Sequence, residues 1–211
     1  MPTDRPGVLL VAIAGGSGAG KSLLASSVQR ALPDVPVTLV EHDWYYADLG
    51  HLPSEERARQ DFDVPEALDN ALLAEHLRWL AGGEAVAAPQ YCFRSHTRRA
   101  ETVPLAPAPV VIVCGVLLLA VPELAELFGL RVFVDAPADL RFIRRLRRDL
   151  AERGRSVESV IEQYLATVHP AHERLVEPSR ARADLVVTDA ADPTQVALVA
   201  EAIGAALGAG G

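Results

Sequence analysis

The chain reads as an α/β fold, a three-layer sandwich in which a parallel sheet of five strands is covered by helices on both faces. Three observations predict it. Short, unbroken apolar runs recur along the chain, as they do in strands buried on both sides. Helix-like segments separate these runs, and strands joined through helices pair in parallel. With 211 residues, half of them hydrophobic and 23% charged, the chain can bury one substantial core, so a single domain is the economical reading.

The elements follow in order. VLLVAIA (8–14) is a fully apolar strand, broken by Gly15 to Gly20, and SLLASSVQRAL (22–32) is the helix after it. VPVTLVE (35–41) is a second strand that ends at HDWYY, and Pro53 to Gln60 reads as a short polar helix. Residues 65–83 form an amphipathic helix, with Pro65 near its start and Gly82-Gly83 closing it. Residues 84–108 are Pro-bounded and broken, with AVAAPQYCF and ETVPLAP as two small strands. APVVIVCG (108–115), RVFVDA (131–136) and ADLVVTD (183–189) complete the sheet. An Arg-rich helix over 137–151, a helix over 157–168 and a closing helix over 193–207 supply the remaining layers. Right-handed crossovers then gather the loops after the strands along one edge, where ligands bind.

Charge and cysteine content narrow the function. The net charge of -8 argues against a nucleic-acid binder, whose surface must be basic. The apolar run from Val8 to Ala14 is too short for a leader, and the run from Val110 to Val121 is interrupted by Gly115 and stopped by Pro122. Both fall well below the roughly 20 residues of a membrane span, so no membrane partner is expected. Cys92 and Cys114 cannot build a disulfide framework, which fits a soluble protein of the reducing cytoplasm.

The strongest motif is Gly15-x-x-x-x-Gly20-Lys21-Ser22, set between an apolar strand and a helix. In Gly15, Gly16, Ser17, Gly18, Ala19 and Gly20 the backbone can curl so that its N–H groups face phosphate oxygens. The helix start adds partial positive charge. Lys21 supplies an ammonium to the β- and γ-phosphates, and the Ser22 hydroxyl can ligate Mg2+. Of the 20 basic side chains Lys21 is the only lysine. An arginine fork is too bulky for a tight phosphate nest. The expected ligand is ATP. At the end of the second strand Asp43 could take a proton from an acceptor hydroxyl, although alone it reads equally well as a cap or turn residue.

Further motifs follow in a fixed order: Asp43-Trp44-Tyr45, then Asp61-Phe62-Asp63-Val64-Pro65-Glu66-Ala67-Leu68-Asp69. Pro89, Tyr91, Phe93, His96 and Arg98 come next, then Arg148, Asp149, Glu152, Arg153, Gly154 and Arg155. Gln163-Tyr164 and the series Pro170, Pro178, Ala183-Asp184 close the set. In order and spacing the chain resembles the uridine–cytidine kinase family over nearly its whole length. The resemblance implies one P-loop kinase domain over 1–211, with an acceptor-site hairpin at about 84–108 and a helical lid at about 146–160. It implies transfer of the ATP γ-phosphoryl to the 5′-hydroxyl of uridine or cytidine, a pyrimidine salvage reaction. Asp43 would be the general base and would share Mg2+ with Ser22. Asp63 would bind the ribose hydroxyls, and Tyr91, Phe93 and His96 the base. Arg145 and Gln163 would complete the acceptor pocket, and Arg148 and Arg153 would neutralise the moving phosphoryl group alongside Lys21. The resemblance also admits a homo-oligomer, a tetramer or a dimer.

Taken singly, these residues have plainer readings. An Arg-rich helix such as 141–155 is often a solvated face, Tyr91 and Phe93 could be hairpin packing, and His96 a surface histidine. The chain also departs from the family. Cys114 stands where a glutamate usually precedes the glycine, and a thiol is a poor ligand for a hard cation. Glu41 is a carboxylate close by in sequence. Cys92 replaces a common aspartate, and residues 187–193 lack the basic and glycine residues usual near adenine. Two alternatives stay open. One is a kinase of another nucleoside or small alcohol, as in the phosphoribulokinase, pantothenate kinase and nicotinamide riboside kinase families. The other is a nucleotide-binding homologue with kinase activity weakened at Cys114.

Overall fold

The computed structural model describes residues 7–209, so residues 1–6 and 210–211 of the expected 1–211 domain lie outside the described residues. In chain order the elements are β1 (Leu9–Gly15), α1 (Lys21–Ala31), β2 (Val37–Glu41), α2 (Ser54–Arg57), α3 (Asn70–Ala81), β3 (Val86–Cys92), β4 (Thr97–Leu105) and β5 (Val110–Gly115). They continue with α4 (Pro122–Ala125), β6 (Leu130–Val134), α5 (Ala138–Glu152), α6 (Val157–Gln163), α7 (His169–Ala171), α8 (Glu177–Ser179), β7 (Leu185–Val187) and α9 (Pro193–Ala209). The sheet has five strands in the order β2-β5-β1-β6-β7, and every pairing is parallel. The α/β fold read from the apolar runs is the fold observed.

Alternation along the strands divides the core in two. Leu10, Ala12, Ala14, Val111, Val113 and Phe133 face one side, where α3 contributes Leu73, Leu77 and Leu80. Val11, Ile13, Ile112, Val132 and Val134 face the other, against Leu24 and Val28 of α1 and Val196, Val199 and Ile203 of α9. Val11, Ile13, Val111 and Ile112 are all 0% exposed, and full burial of such a side chain stabilises by roughly 1.5–3 kcal/mol. The edge where the strands end, carrying Gly15, Glu41 and Gly115, is left for the loops.

Two helices differ from expectation. The helix expected over 65–83 begins at Asn70, because the Asp69 carboxylate caps it by accepting the Leu72 N–H at 3.1 Å. Pro65 opens a separate single turn, and Leu68 then extends to bridge Tyr46. The helix expected to end at 168 instead runs on with only local changes of pitch. Wide turns at Tyr164–Val168 and His172–Val176 lead into α7 and α8, and each of those short helices contains a proline, Pro170 or Pro178. A proline lacks the N–H for a normal helical bond and crowds the preceding turn, so the widened turns take up the mismatch.

Strands β3 and β4 form the small antiparallel hairpin expected between 84 and 108, with a register shift between Pro89 and Tyr91 where the imide nitrogen has no proton to give. Its root, Val86, Ala88 and Leu105, joins the α3 side of the core. Arg98 moors the outer part: its Nε donates to the Tyr46 carbonyl at 2.9 Å and its guanidinium pairs with Asp69 at 3.1 Å. Among the described residues no helix is long and apolar enough to cross a membrane.

Candidate active site

The loop after β1 turns through left-handed glycines, with φ of 80° at Gly18 and 104° at Gly20. A Cβ on Gly18 would overlap the Arg141 carbonyl, so no other residue fits there without displacing the start of α5. Helix α1 begins at Lys21, after Gly20 as its cap, with no side-chain cap and no acidic residue in its first turn, which leaves its first N–H groups and partial positive charge facing the loop. Lys21 folds back across the loop and its Nζ donates to the carbonyls of Gly15 and Gly16, both at 3.0 Å. Burial lowers the ammonium below the ordinary lysine value, and Asp43 opposes that shift.

Helix α5 turns its arginines toward this loop. Arg141 and Arg145 are buried and lie four residues apart, one helical turn. The Arg141 Nε donates to Ala136 O at 2.9 Å, and Arg145 donates to the Ser17 hydroxyl at 2.9 Å and to Gln163 Oε1 at 2.7 Å. Arg144 reaches Ala19 O at 3.4 Å. Behind them Asp149, fully buried, gathers three guanidinium groups: Arg148 at 2.8 Å, Arg145 at 3.6 Å and Arg153 at 3.6 Å. The longer contacts with Arg145 and Arg153 are ion pairs rather than hydrogen bonds, and Asp149 Oδ2 has no hydrogen-bond donor.

Strand β2 ends in a tight turn, His42–Tyr45, that delivers Glu41, His42 and Asp43 to the sheet edge. His42 is buried beneath the site, its Nε2 2.9 Å from Asn70 Oδ1, and burial lowers its pKa to about 4. It is therefore neutral. A Cβ on Gly115 would strike the His42 Cβ at 2.6 Å, so the glycine after Cys114 lets β5 approach this turn. Asp43 lies 3.9 Å from the Arg153 guanidinium. Glu41 also lines the cleft, and burial, reinforced by Asp43, raises its pKa to about 7, while Ser22 and Lys21 pull the other way. Cys114 is buried, its thiol directed at the Lys21 carbonyl 3.7 Å away, and desolvation holds it well above the usual thiol range.

A cleft of about 260 Å3 beside the loop is lined by Lys21, Ser22, Asp43, Asp63, Arg145 and Arg148 among others. A smaller chamber of about 50 Å3 opens from it, walled by the aromatic rings of Tyr46, Phe62, Tyr91, Phe93 and His96. Tyr46, Phe62, Asp63, Arg145 and Arg153 line both spaces. The rings brace one another: His96 stacks on Phe62 with centroids 4.7 Å apart, and Tyr46 lies 5.1 Å from Tyr91. Burial and the arginines around it, Arg155 first, hold His96 below the ordinary histidine value. Asp63 accepts the Thr167 hydroxyl at 2.8 Å, and burial raises its carboxyl above the usual range. The guanidinium of Arg153 sits 3.9 Å over the Phe93 ring, and Arg94 on the hairpin donates to Glu152 O at 3.4 Å, so the end of α5 and the hairpin tip touch.

Every residue expected in the site from the sequence is thus gathered at one edge of the sheet. Tyr46, Phe62, Arg144 and Arg155 join them without having been singled out. Phe62 lies between the two aspartates of Asp61-Phe62-Asp63, and Arg155 shares the Gln163 carbonyl oxygen with Arg145, so both had a signal in the ordered motifs. Arg144 had none apart from its place in the Arg-rich helix. Of the weak segment 187–193, Ala190 packs against Gly20, and the Thr188 N–H donates to Gln195 at 2.7 Å.

The sequence model of the phosphoribulokinase / uridine kinase family matches residues 10–195. The chain is 47% identical over 200 residues to a uridine kinase of Chloroflexus aggregans, covering 94% of this chain and 96% of that one. It is 42% identical over 195 residues to a uridine kinase of Alkaliphilus metalliredigens, covering 92% of each. Among solved structures, phosphoribulokinase from Rhodobacter spheroides superposes with a TM-score of 0.63 at 18% identity, over 90% of this chain and 74% of that one. The last comparison speaks for the fold, and the others for kinship. The chain belongs to the phosphoribulokinase / uridine kinase family.

Proposed function

We propose that this kinase transfers the γ-phosphoryl group of ATP to the 5′-hydroxyl of uridine or cytidine. The observation that carries the reading is the union of two chambers. A cationic cleft built on Lys21 runs into an aromatic box built on Phe62, Tyr91, Phe93 and His96, with Asp43 in the cleft and Asp63 lining both chambers. Polyphosphate fits the first and a flat heterocycle the second. The relatives named uridine kinase, matched over nearly their whole length, favour a pyrimidine nucleoside over other alcohols.

In this reading the loop amides and Lys21 hold the β- and γ-phosphates, and Asp63 accepts hydrogen bonds from the ribose. Asp43 takes the proton of the 5′-hydroxyl as the phosphoryl group moves in line. Arg148 and Arg153 neutralise the charge that spreads over the transferred oxygens. The contact of Arg153 with Phe93 suits residues 146–160 to a lid that closes over donor and acceptor together. Ser22 and Asp43, with Glu41 beside them in the cleft, would hold a magnesium ion, whose charge would offset that of the phosphates. Among the described residues no three His, Cys, Asp or Glu side chains form a metal cage. A donor set of Ser22, Asp43 and Glu41 nevertheless fits magnesium, which keeps water and substrate phosphate as most of its ligands.

The deciding experiment is an acceptor panel with ATP and purified protein. Turnover of uridine and cytidine to their 5′-monophosphates is expected. Turnover confined to purine nucleosides or to sugar phosphates would end the proposal.

A further inference from the structure

Glu41 and Cys114 are register partners on the adjacent parallel strands β2 and β5. Their side chains therefore stand at the same height, beside the start of α1, on the strand ends that frame the phosphate loop. Cys114 is only 2% exposed and directs its thiol at a backbone carbonyl, so it offers a hard cation nothing. Glu41 lines the cleft together with Ser22 and Asp43.

The cleft carboxylates are not equally engaged. Asp63 receives the Thr167 hydroxyl, and Asp43 faces Arg153. Glu41 is half-buried, has the Ser22 hydroxyl as its hydrogen-bond partner and, among the described residues, has no Lys, Arg or His nitrogen within ion-pairing distance. Lys21, the cation beside it, spends its ammonium on the carbonyls of Gly15 and Gly16. A carboxylate drawn out of water without a counter-charge is costly, and a divalent cation at the phosphates would offset that cost.

We propose that Glu41 is the carboxylate that holds the nucleotide's magnesium ion at this site, acting from β2 beside Ser22 because its strand neighbour is Cys114. The inference rests on the kinase reading above, which supplies the phosphates that complete the coordination.

The test reads metal binding directly. Mn2+ replaces Mg2+, and its affinity for the full chain saturated with β,γ-methylene-ATP is measured by electron paramagnetic resonance. Nucleotide affinity is measured separately, by calorimetry in EDTA. Glu41→Gln should weaken Mn2+ binding by about tenfold to a hundredfold, whereas metal-free nucleotide binding should not weaken, since the change removes a negative charge beside the phosphates. The swap variant carrying both Glu41→Cys and Cys114→Glu returns a carboxylate to the same pair of positions and should recover most of the loss. Natural Mn2+ affinity in Glu41→Gln, with nucleotide bound, overturns the inference alone. If Glu41→Gln does not fold, the smaller change Glu41→Asp, which draws the carboxylate back by one methylene, decides: weakened Mn2+ affinity supports the inference and natural affinity overturns it. Failure of the natural chain to bind nucleotide would overturn the kinase reading and this inference with it.

Discussion

Asp43 reaches the cleft because β2 stops at Glu41 and a tight turn follows. Its position beside Arg153 leaves an acceptor atom free to meet a hydroxyl. Asp43→Asn keeps size and hydrogen bonding but removes the basic oxygen, so ATP binding should persist while kcat falls by a factor on the order of 10² to 10⁴. Steady-state kinetics beside a nucleotide titration separates the two, and an unaltered kcat would remove Asp43 from that role. Next to it, His42 makes a prediction about pH. Its pKa falls from 6.5 to about 4 on folding, so between those values the unfolded chain holds the extra proton. Stability from this residue is complete above pH 6.5 and drains away as pH falls toward 4, a loss on the order of 3 kcal/mol. Glu41 acts in the opposite sense, because its pKa rises from 4.5 to about 7 and its contribution weakens as pH rises. The difference in unfolding free energy between the natural protein and His42→Gln isolates the histidine, since Glu41 is common to both. That difference should shrink as acid is added, and a flat difference would contradict the assignment.

Helix α5 is organised around a single buried carboxylate. Asp149 holds Arg145, Arg148 and Arg153, and those three reach Ser17 of the phosphate loop, the cleft and the Phe93 ring respectively. Removing its charge leaves three guanidinium groups crowded together without their common partner. Asp149→Asn should cost about 3–5 kcal/mol of stability, the usual penalty for breaking a buried pair from one side, and should weaken nucleotide binding although Asp149 itself lies behind the arginines. Urea unfolding together with a nucleotide titration checks both, and a variant as stable as the natural protein would show that the arginines hold themselves in place. The same helix shows what one sequence can hide. Its arginines read equally well as a solvated face, and only the packing of Arg141 and Arg145 against Gly16, Gly18 and Ser17 shows which side of the helix faces the loop.

At the scale of the molecule, the sheet and the phosphate loop were legible because their signals are local. Apolar runs such as Val8–Ala14 cannot be exposed, and the run of glycines before Lys21 has few other uses. Helix limits were less legible: Asp69 and Asn70 compete with Pro65 as starting points, and only the Leu72 N–H contact settles which one caps. The helix expected over 157–168 runs on past the prolines at 170 and 178, because wide turns carry the chain past them. Of the aromatic chamber, Tyr91, Phe93 and His96 were read through the resemblance to a family, whereas Tyr46 and Phe62 come from separate segments that only the folded chain brings against them. Glu41 was visible as a carboxylate near the loop, but its alignment with Cys114 is a property of strand register and exists only once β2 and β5 have paired.

The side chain at position 21 has one more implication. Because the chain contains a single lysine, and that lysine folds back onto the carbonyls of Gly15 and Gly16, no second lysine exists to absorb acylation or ubiquitin-type conjugation. In the proposed mechanism any such mark on a lysine of this chain would fall on the side chain that grips the phosphates and would silence the kinase.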